Sequence, residues 1–85
     1  MKLFHAYAHT NALEVCIVAR SGSHAAEIFL TYWTGEYGDA PGAFDITANV
    51  IPYANLRPEL QYLIKGSASG VLLLDESHGA RLVPM

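Results

Sequence analysis

The sequence predicts an α+β domain in which one antiparallel or mixed β-sheet carries helices mainly on one face, in the order β-β-α-β-α-β-β. Three observations predict it: two strand-like segments at the N-terminus, two segments with helical periodicity, and an apolar pair of segments at the C-terminus. The chain has 85 residues, 52% of them hydrophobic. That content is enough for one core, so we expect a single domain, 1–85.

The segments LFHAYA and LEVCIVAR predict the first hairpin, because both are rich in strand formers and Thr10-Asn11 suits a two-residue turn. In that register one face carries apolar pairs alone, namely Phe4–Ile17, Ala6–Val15 and Ala8–Leu13. The other face carries the pairs His5–Cys16, Tyr7–Glu14 and His9–Ala12. A slip of one residue would mix the two faces, so the pattern favours this register.

The hairpin also decides how the histidine pair in FHAYAH is interpreted. Four residues along a strand separate His5 from His9 by roughly 13 Å, which is too far to hold one metal ion. Cys16 is the only cysteine, so neither an internal disulfide nor a CxxC zinc motif can form. We therefore predict no metal site and no cofactor.

The stretch SGSHAAEIFLTYWTG predicts the first helix, with Ser23 as its N-cap and Gly35 as a left-handed C-cap. An apolar stripe at helical spacing should cover the Phe4 face of the hairpin. The stripe consists of Ala25, Ile28, Phe29, Tyr32 and Trp33.

The second half of the chain predicts a loop, a strand, a helix and a hairpin. EYGDAPGA has the glycines and proline of a loop, and FDITANVI alternates as a half-buried strand. RPELQYLIKG predicts a short helix with Pro58 in its first turn and Gly66 at its end. GVLLLDESHGARLVPM predicts a hairpin with its turn at His78-Gly79 and VLLL as the central strand of the sheet. That register pairs Glu76 with Arg81 and Leu74 with Val83.

Residues 21–56 contain four acids and no lysine or arginine. Acidic groups beside aromatic side chains are typical of a surface that meets a basic partner. We expect the partner-binding residues to be Glu27, Glu36, Tyr37, Asp39 and Asp45. The alternative is that the aromatics belong to the core and that the acids only aid solubility.

The polar face of the first hairpin supports a second hypothesis. His5 beside Cys16 could form a nucleophilic pair or part of a metal site, which would suit a small enzyme or a ligand- or metal-binding domain. The same face could instead be open to solvent, or it could form a homodimer contact through Tyr7 and Val18. No acid–base pair, serine triad or cofactor motif stands out, so we expect no catalytic residues.

Composition narrows the remaining function classes. The formal charge is −3 and the five basic residues are scattered, so we expect no direct contact with nucleic acid. The N-terminus makes a poor signal peptide and no apolar run approaches the roughly 20 residues of a membrane span, so we expect a cytoplasmic protein without a membrane partner.

The sequence therefore predicts a small non-catalytic protein-binding module with a basic protein partner. In its most specific form, this is an inhibitor from a phage or mobile element, such as an anti-CRISPR protein, that blocks a nucleic-acid-binding host complex.

Overall fold

A computed structural model describes residues 1–10, 12–75 and 79–85. It contains a five-stranded antiparallel sheet in the order β3-β1-β2-β4-β5. The strands are β1 (Lys2–Ala8), β2 (Leu13–Ala19), β3 (Phe44–Ala48), β4 (Gly70–Asp75) and β5 (Gly79–Pro84). The helices are α1 (Gly22–Tyr37) and α2 (Pro58–Lys65), and a 3-10 turn spans Tyr53–Asn55. The predicted α+β class and element order are confirmed.

The register of the first hairpin is also confirmed. Phe4 pairs with Ile17, Ala6 with Val15 and His5 with Cys16, so FHAYAH begins as strand and is not helical. Asn11, half of the predicted turn, lies outside the described residues.

The long helix α1 covers the apolar face of this hairpin. Four residues of the predicted stripe are buried, and the fifth, Tyr32, is partly buried against the same core. Phe29 is fully buried, and its ring centroid lies 4.9 Å from that of Phe44 on β3. The main core therefore lies between α1 and strands β1, β2, β3 and β4.

Both predicted ends of α1 are wrong. The N-cap is Ser21 rather than Ser23: the Ser21 hydroxyl accepts a hydrogen bond from the backbone N–H of His24, at 3.2 Å. His24 Nδ1 in turn accepts from the backbone N–H of Arg20, at 3.0 Å, so His24 acts in the manner of a capping-box side chain. The left-handed C-cap is Gly38, with φ of 80°, whereas Gly35 lies inside the helix.

The short helix α2 packs on the opposite face of the sheet from α1, a placement that the sequence did not predict. Its stripe of Leu60, Leu63 and Ile64 contacts a second cluster formed by Leu3, Val18 and Leu72. The N-terminal ammonium group also donates to the carbonyl of Ile64, at 3.0 Å. One end of the face that we expected to be open or dimeric is thus covered by α2.

The predicted C-terminal hairpin has the wrong register. Leu74 pairs with Ala80 and Val71 with Val83, a shift of three residues from the predicted pairing. Gly79 already belongs to β5, where it pairs with Asp75, and residues 76–78 lie outside the described residues. The apolar run VLLL fits either register because it has no polar face to exclude one.

Two strand predictions need smaller corrections. β4 is an interior strand, as its buried Val71 and Leu72 require, but the central strand of the sheet is β2. β3 ends at Ala48, and Val50, which was expected to continue the alternation, is 89% exposed.

Candidate functional site

The antiparallel ladders bring four chain segments to one end of the molecule. Ala8 at the end of β1 pairs with Leu13 at the start of β2 and with Phe44 at the start of β3. The loop that follows α1 is tied to the same end, because the Thr10 hydroxyl donates to the carbonyl of Pro41, at 3.3 Å. The C-terminus of α1 therefore lies beside the first residues of β2 and β3.

This end of the molecule is acidic, and we call it the acidic pole. It carries four exposed carboxylates and the exposed ring of Tyr37. The carboxylates are those of Glu14, Glu36, Asp39 and Asp45. The C-terminal end of α1, which carries the negative end of the helix dipole, adds to the negative potential of these carboxylates. Within α1, all of which is described, the last turn has no basic residue that would offset it.

Most of the positive charge lies at the other end of the molecule. Four of the five basic residues are found at the start of β1, just after β2, and in or beside α2. They are Lys2, Arg20, Arg57 and Lys65. The fifth, Arg81, is exposed on β5, where it pairs with Leu73. Negative and positive side chains are thus concentrated at opposite ends of the strands. The dipole of α1 has the same orientation, because its negative C-terminal end lies at the acidic pole.

Tyr37 is fixed in place although it is 53% exposed. Its ring lies against that of the buried Trp33, with the centroids 4.4 Å apart. Trp33 in turn packs against Phe29, at 5.6 Å. An aromatic ring held on the core while still facing solvent is pre-organised for contact, because little rotamer entropy remains to be lost on binding.

The structure places four of the five predicted partner-binding residues at the acidic pole, three of them on the α1 side of the sheet. Glu36, Tyr37 and Asp39 lie together at the C-terminal end of α1. Asp45 reaches the same pole, but on the sheet face opposite α1, where its carboxylate lies 2.8 Å from His9 Nε2. Glu27 lies elsewhere, since nine helical residues place it about 13.5 Å from Glu36 along the axis and on the opposite side of α1.

Glu14 belongs to the acidic pole but was not among the predicted binding residues. It is outside the lysine-free interval on which that prediction depended. The predicted register of the first hairpin could have identified it. That register pairs Glu14 with Tyr7 and so places Glu14 at the same end of the sheet as the turn between β1 and β2.

A cleft of about 320 Å³ opens beside the acidic pole, between β2 and β4. In the described chain these strands pair from Cys16–Leu72 to Val18–Gly70, and the ladder does not continue to Glu14 or Leu73. The walls of the cleft are mainly apolar and aromatic, and Glu14 is the acidic residue among them. They include Leu13, Val15, Leu73, Tyr32 and Tyr37.

Tyr32, which lines this cleft, lies within the negative potential of the acidic pole. Partial burial raises the pKa of its phenol, and the negative charge of Glu36 and the neighbouring Tyr37 raise it further. The Glu36 carboxylate therefore acts on the cleft although it does not line it.

The polar face of the first hairpin gathers a second group of side chains around His5. His5 Nδ1 lies 3.3 Å from the Glu14 carboxylate and 3.6 Å from the Cys16 sulfur. His5 Nε2 lies 3.5 Å from the amide oxygen of Asn49. A thiol and an amide joined through one imidazole is an arrangement that can activate a cysteine nucleophile, so the state of Cys16 decides what this group can do.

The chemistry of Cys16 favours a resting thiol. Burial raises the pKa of the thiol, and the nearby negative charge of Glu14 raises it further. A cysteine nucleophile instead needs a lowered pKa, because the thiolate is the reactive form. Glu14 and Cys16 also face the same nitrogen of His5, so they compete for it rather than form a relay.

Comparison with protein-family models, with curated proteins and with solved structures finds no match to this chain. In the residues that the structure describes, no group of three His, Cys, Asp or Glu side chains is arranged to hold a metal ion. Neither described helix combines the length and the apolar composition needed to cross a membrane. Function is therefore inferred from the geometry of the chain itself.

Proposed function

We propose that this chain is a protein-binding module that docks onto a positively charged protein surface through its acidic pole. One observation carries the proposal: exposed carboxylates, the negative end of α1 and the fixed ring of Tyr37 converge at one end of the molecule, while most of the bases lie at the other. Such separation steers a basic partner toward one end of the molecule. Tyr37 would then supply the buried aromatic contact that often dominates an interface.

In its more specific form, the proposed module inhibits a complex that binds nucleic acid. A protein that grips phosphates presents clustered lysine and arginine, and a compact set of carboxylates is complementary to the same cluster. An inhibitor from a phage or mobile element, of the anti-CRISPR type, would act in this way by occupying the basic surface.

A capture experiment with matched variants tests the binding proposal. The pole variant combines Glu36→Lys with Asp39→Lys. The control variant combines Glu27→Lys with Glu59→Lys, which changes the net charge equally but at sites away from the pole. Basic proteins that bind the parent and the control but not the pole variant would support the proposal. If the pole variant captures the same proteins as the parent, the functional surface lies elsewhere.

A competition assay tests the inhibitor form. The parent should displace nucleic acid from the captured protein, and the pole variant should not. A ternary complex of the parent, the captured protein and nucleic acid would contradict inhibition while leaving the binding proposal intact.

The alternative, a small enzyme or a ligand- or metal-binding domain, depends on the His5 group. The convergence of Cys16, Glu14 and Asn49 on one imidazole supports it. Cys16→Ser distinguishes the alternatives, because it would abolish a function that needs the thiol and leave docking through the acidic pole unchanged.

A further inference from the structure

We propose that the chain forms a symmetric dimer in which the β3 strands of two copies pair antiparallel, edge to edge. The contact joins the two sheets into one continuous sheet. The inference does not rest on the proposed function, because it concerns a different surface and a different partner, namely a second copy of this chain.

The outer edge of β3 presents backbone groups that have no partner in the described chain. On the inner side, the N–H of Asn49 donates to the carbonyl of Leu3, at 2.9 Å, and the N–H of His9 donates to the carbonyl of Ala43, at 3.1 Å. Since the residues of an antiparallel strand direct their backbone groups to alternate sides, every second residue from 43 to 49 faces β1 and those between face outward. No backbone–backbone hydrogen bond outside the ladders reaches the outward-facing residues, which are Phe44, Ile46 and Ala48.

This edge also lacks the features that usually prevent the addition of another strand. The β3 sequence FDITA contains no lysine, arginine or proline, and the carboxylate of its one charged residue, Asp45, already lies 2.8 Å from His9 Nε2. The opposite edge strand, β5, carries the exposed Arg81 and ends in Pro84. Because charged side chains and proline on an edge hinder strand pairing, β3 is the edge that can accept a strand.

The β3 sequence is complementary to itself in antiparallel pairing. A two-fold axis at Ile46 pairs this residue with its own copy and pairs Phe44 with Ala48 of the second copy. Every outward-facing backbone group of β3 then has a partner. On the sheet face opposite α1, the same register sets Asp45 of each copy against Thr47 of the other. The threonine hydroxyl can donate to the carboxylate, and the two aspartates do not oppose each other.

The charges of the two copies match in the same orientation. β3 begins at the acidic pole and ends at Ala48, which pairs with Phe4 near the start of β1, where Lys2 is exposed. In the antiparallel dimer, the acidic pole of each copy therefore lies at the end of the shared edge that carries Lys2 of the other copy. Parallel pairing would bring the two acidic poles together, so charge complementarity selects the antiparallel dimer.

Sedimentation velocity and hydrogen exchange test the dimer and locate its contact. One short edge strand gives a contact at the low end of interface sizes, so the parent should show a reversible monomer–dimer equilibrium between about 10 µM and about 1 mM. As the dimer forms, NMR should detect slower hydrogen exchange at the amides of Phe44, Ile46 and Ala48. Exchange should change less at Asp45 and Thr47, whose N–H groups face β1 in the ladder.

Opposite substitutions at the exposed Thr47 test the register. Thr47→Asp sets a second carboxylate against Asp45 of the other copy and should weaken the dimer about two- to thirtyfold, because two-fold symmetry repeats the changed pair. Thr47→Lys sets an opposite charge there and should strengthen the dimer. Glu59→Gln changes the net charge by as much as Thr47→Lys does, but on α2, and should leave the dimer unchanged. Circular dichroism verifies that each variant is folded.

Three results would overturn the inference: a monomer at every concentration, a dimer without slower exchange at the outward-facing amides of β3, or Thr47 variants that shift the equilibrium in the same direction. Slower exchange that appears only when a captured protein is added would also overturn it, since the edge would then receive a strand of that protein. The proposed function is tested separately, because the pole variant keeps the whole of β3.

Discussion

Tyr37 stacks on Trp33 with the ring centroids 4.4 Å apart and the planes tilted by 42°. The pair joins the exposed end of α1 to the hydrophobic core, because Trp33 is only 5% exposed while Tyr37 is 53% exposed. A surface tyrosine therefore has the fixed orientation of a core residue.

The first prediction concerns this ring. Tyr37→Ala should accelerate dissociation from the partner about five- to thirtyfold, the effect of losing a moderate hot spot. Tyr37→Phe should retain most of the affinity, since the ring and its contact with Trp33 remain. Dissociation rates from surface plasmon resonance check both, and equal rates for the parent and the alanine variant would remove Tyr37 from the interface.

A pair of glycine substitutions tests where α1 ends. Gly38→Ala should destabilise the protein by about 1–2 kcal/mol, because a residue other than glycine is strained at a positive φ. Gly35→Ala should stabilise it by about 0.5–1 kcal/mol, because Gly35 lies inside the helix and an added Cβ meets nothing within 4 Å.

Urea unfolding of both glycine variants gives the two free-energy changes. The opposite pattern, with Gly35→Ala destabilising and Gly38→Ala harmless, would mean that the helix ends at Gly35.

At about pH 8.5, Cys16 should react with iodoacetamide more slowly than an unperturbed cysteine does, because its raised pKa keeps more of the thiol protonated. Glu14→Gln removes one cause of that shift, so it should lower the thiol pKa and move the rise of alkylation rate with pH to lower pH. Mass spectrometry of timed samples measures the rate, with Glu59→Gln as the control. If the alkylation rate of the Glu14→Gln variant has the same pH profile as that of the parent, the Glu14 carboxylate has no influence on the thiol.

The sequence predicted the first hairpin in detail because Phe4, Ala6 and Ala8 alternate with polar residues along β1. That alternation leaves one register in which the faces remain separate. The run Val71–Leu74 is apolar throughout and carries no such information, so the register with β5 could not be read from it. The prediction of the ends of α1 was wrong for a similar reason. Each end has two candidate capping residues close together, Ser21 and Ser23 at the start and Gly35 and Gly38 at the end, and propensity alone does not choose between them.

Only the part of the candidate site whose residues are close together in the sequence could be predicted. Glu36, Tyr37 and Asp39 are near neighbours along the chain, so their clustering followed from the sequence alone. The inclusion of Glu14 and the opening of the cleft depend on how β2 and β4 pair and where they separate. That pairing is a long-range contact, for which the sequence offered no periodic signal.

The central claim is that the acidic pole steers a basic partner to this protein. The most direct test is the association rate constant of the captured partner, measured from about 0.01 M to about 0.15 M salt, over which the Debye length falls from about 30 Å to about 8 Å. The parent and the Glu27→Lys/Glu59→Lys control should associate about tenfold or more faster at the low end of this range. The Glu36→Lys/Asp39→Lys variant should associate slowly and with little dependence on salt. If that variant matches the parent in both rate and salt dependence, the acidic pole does not guide binding.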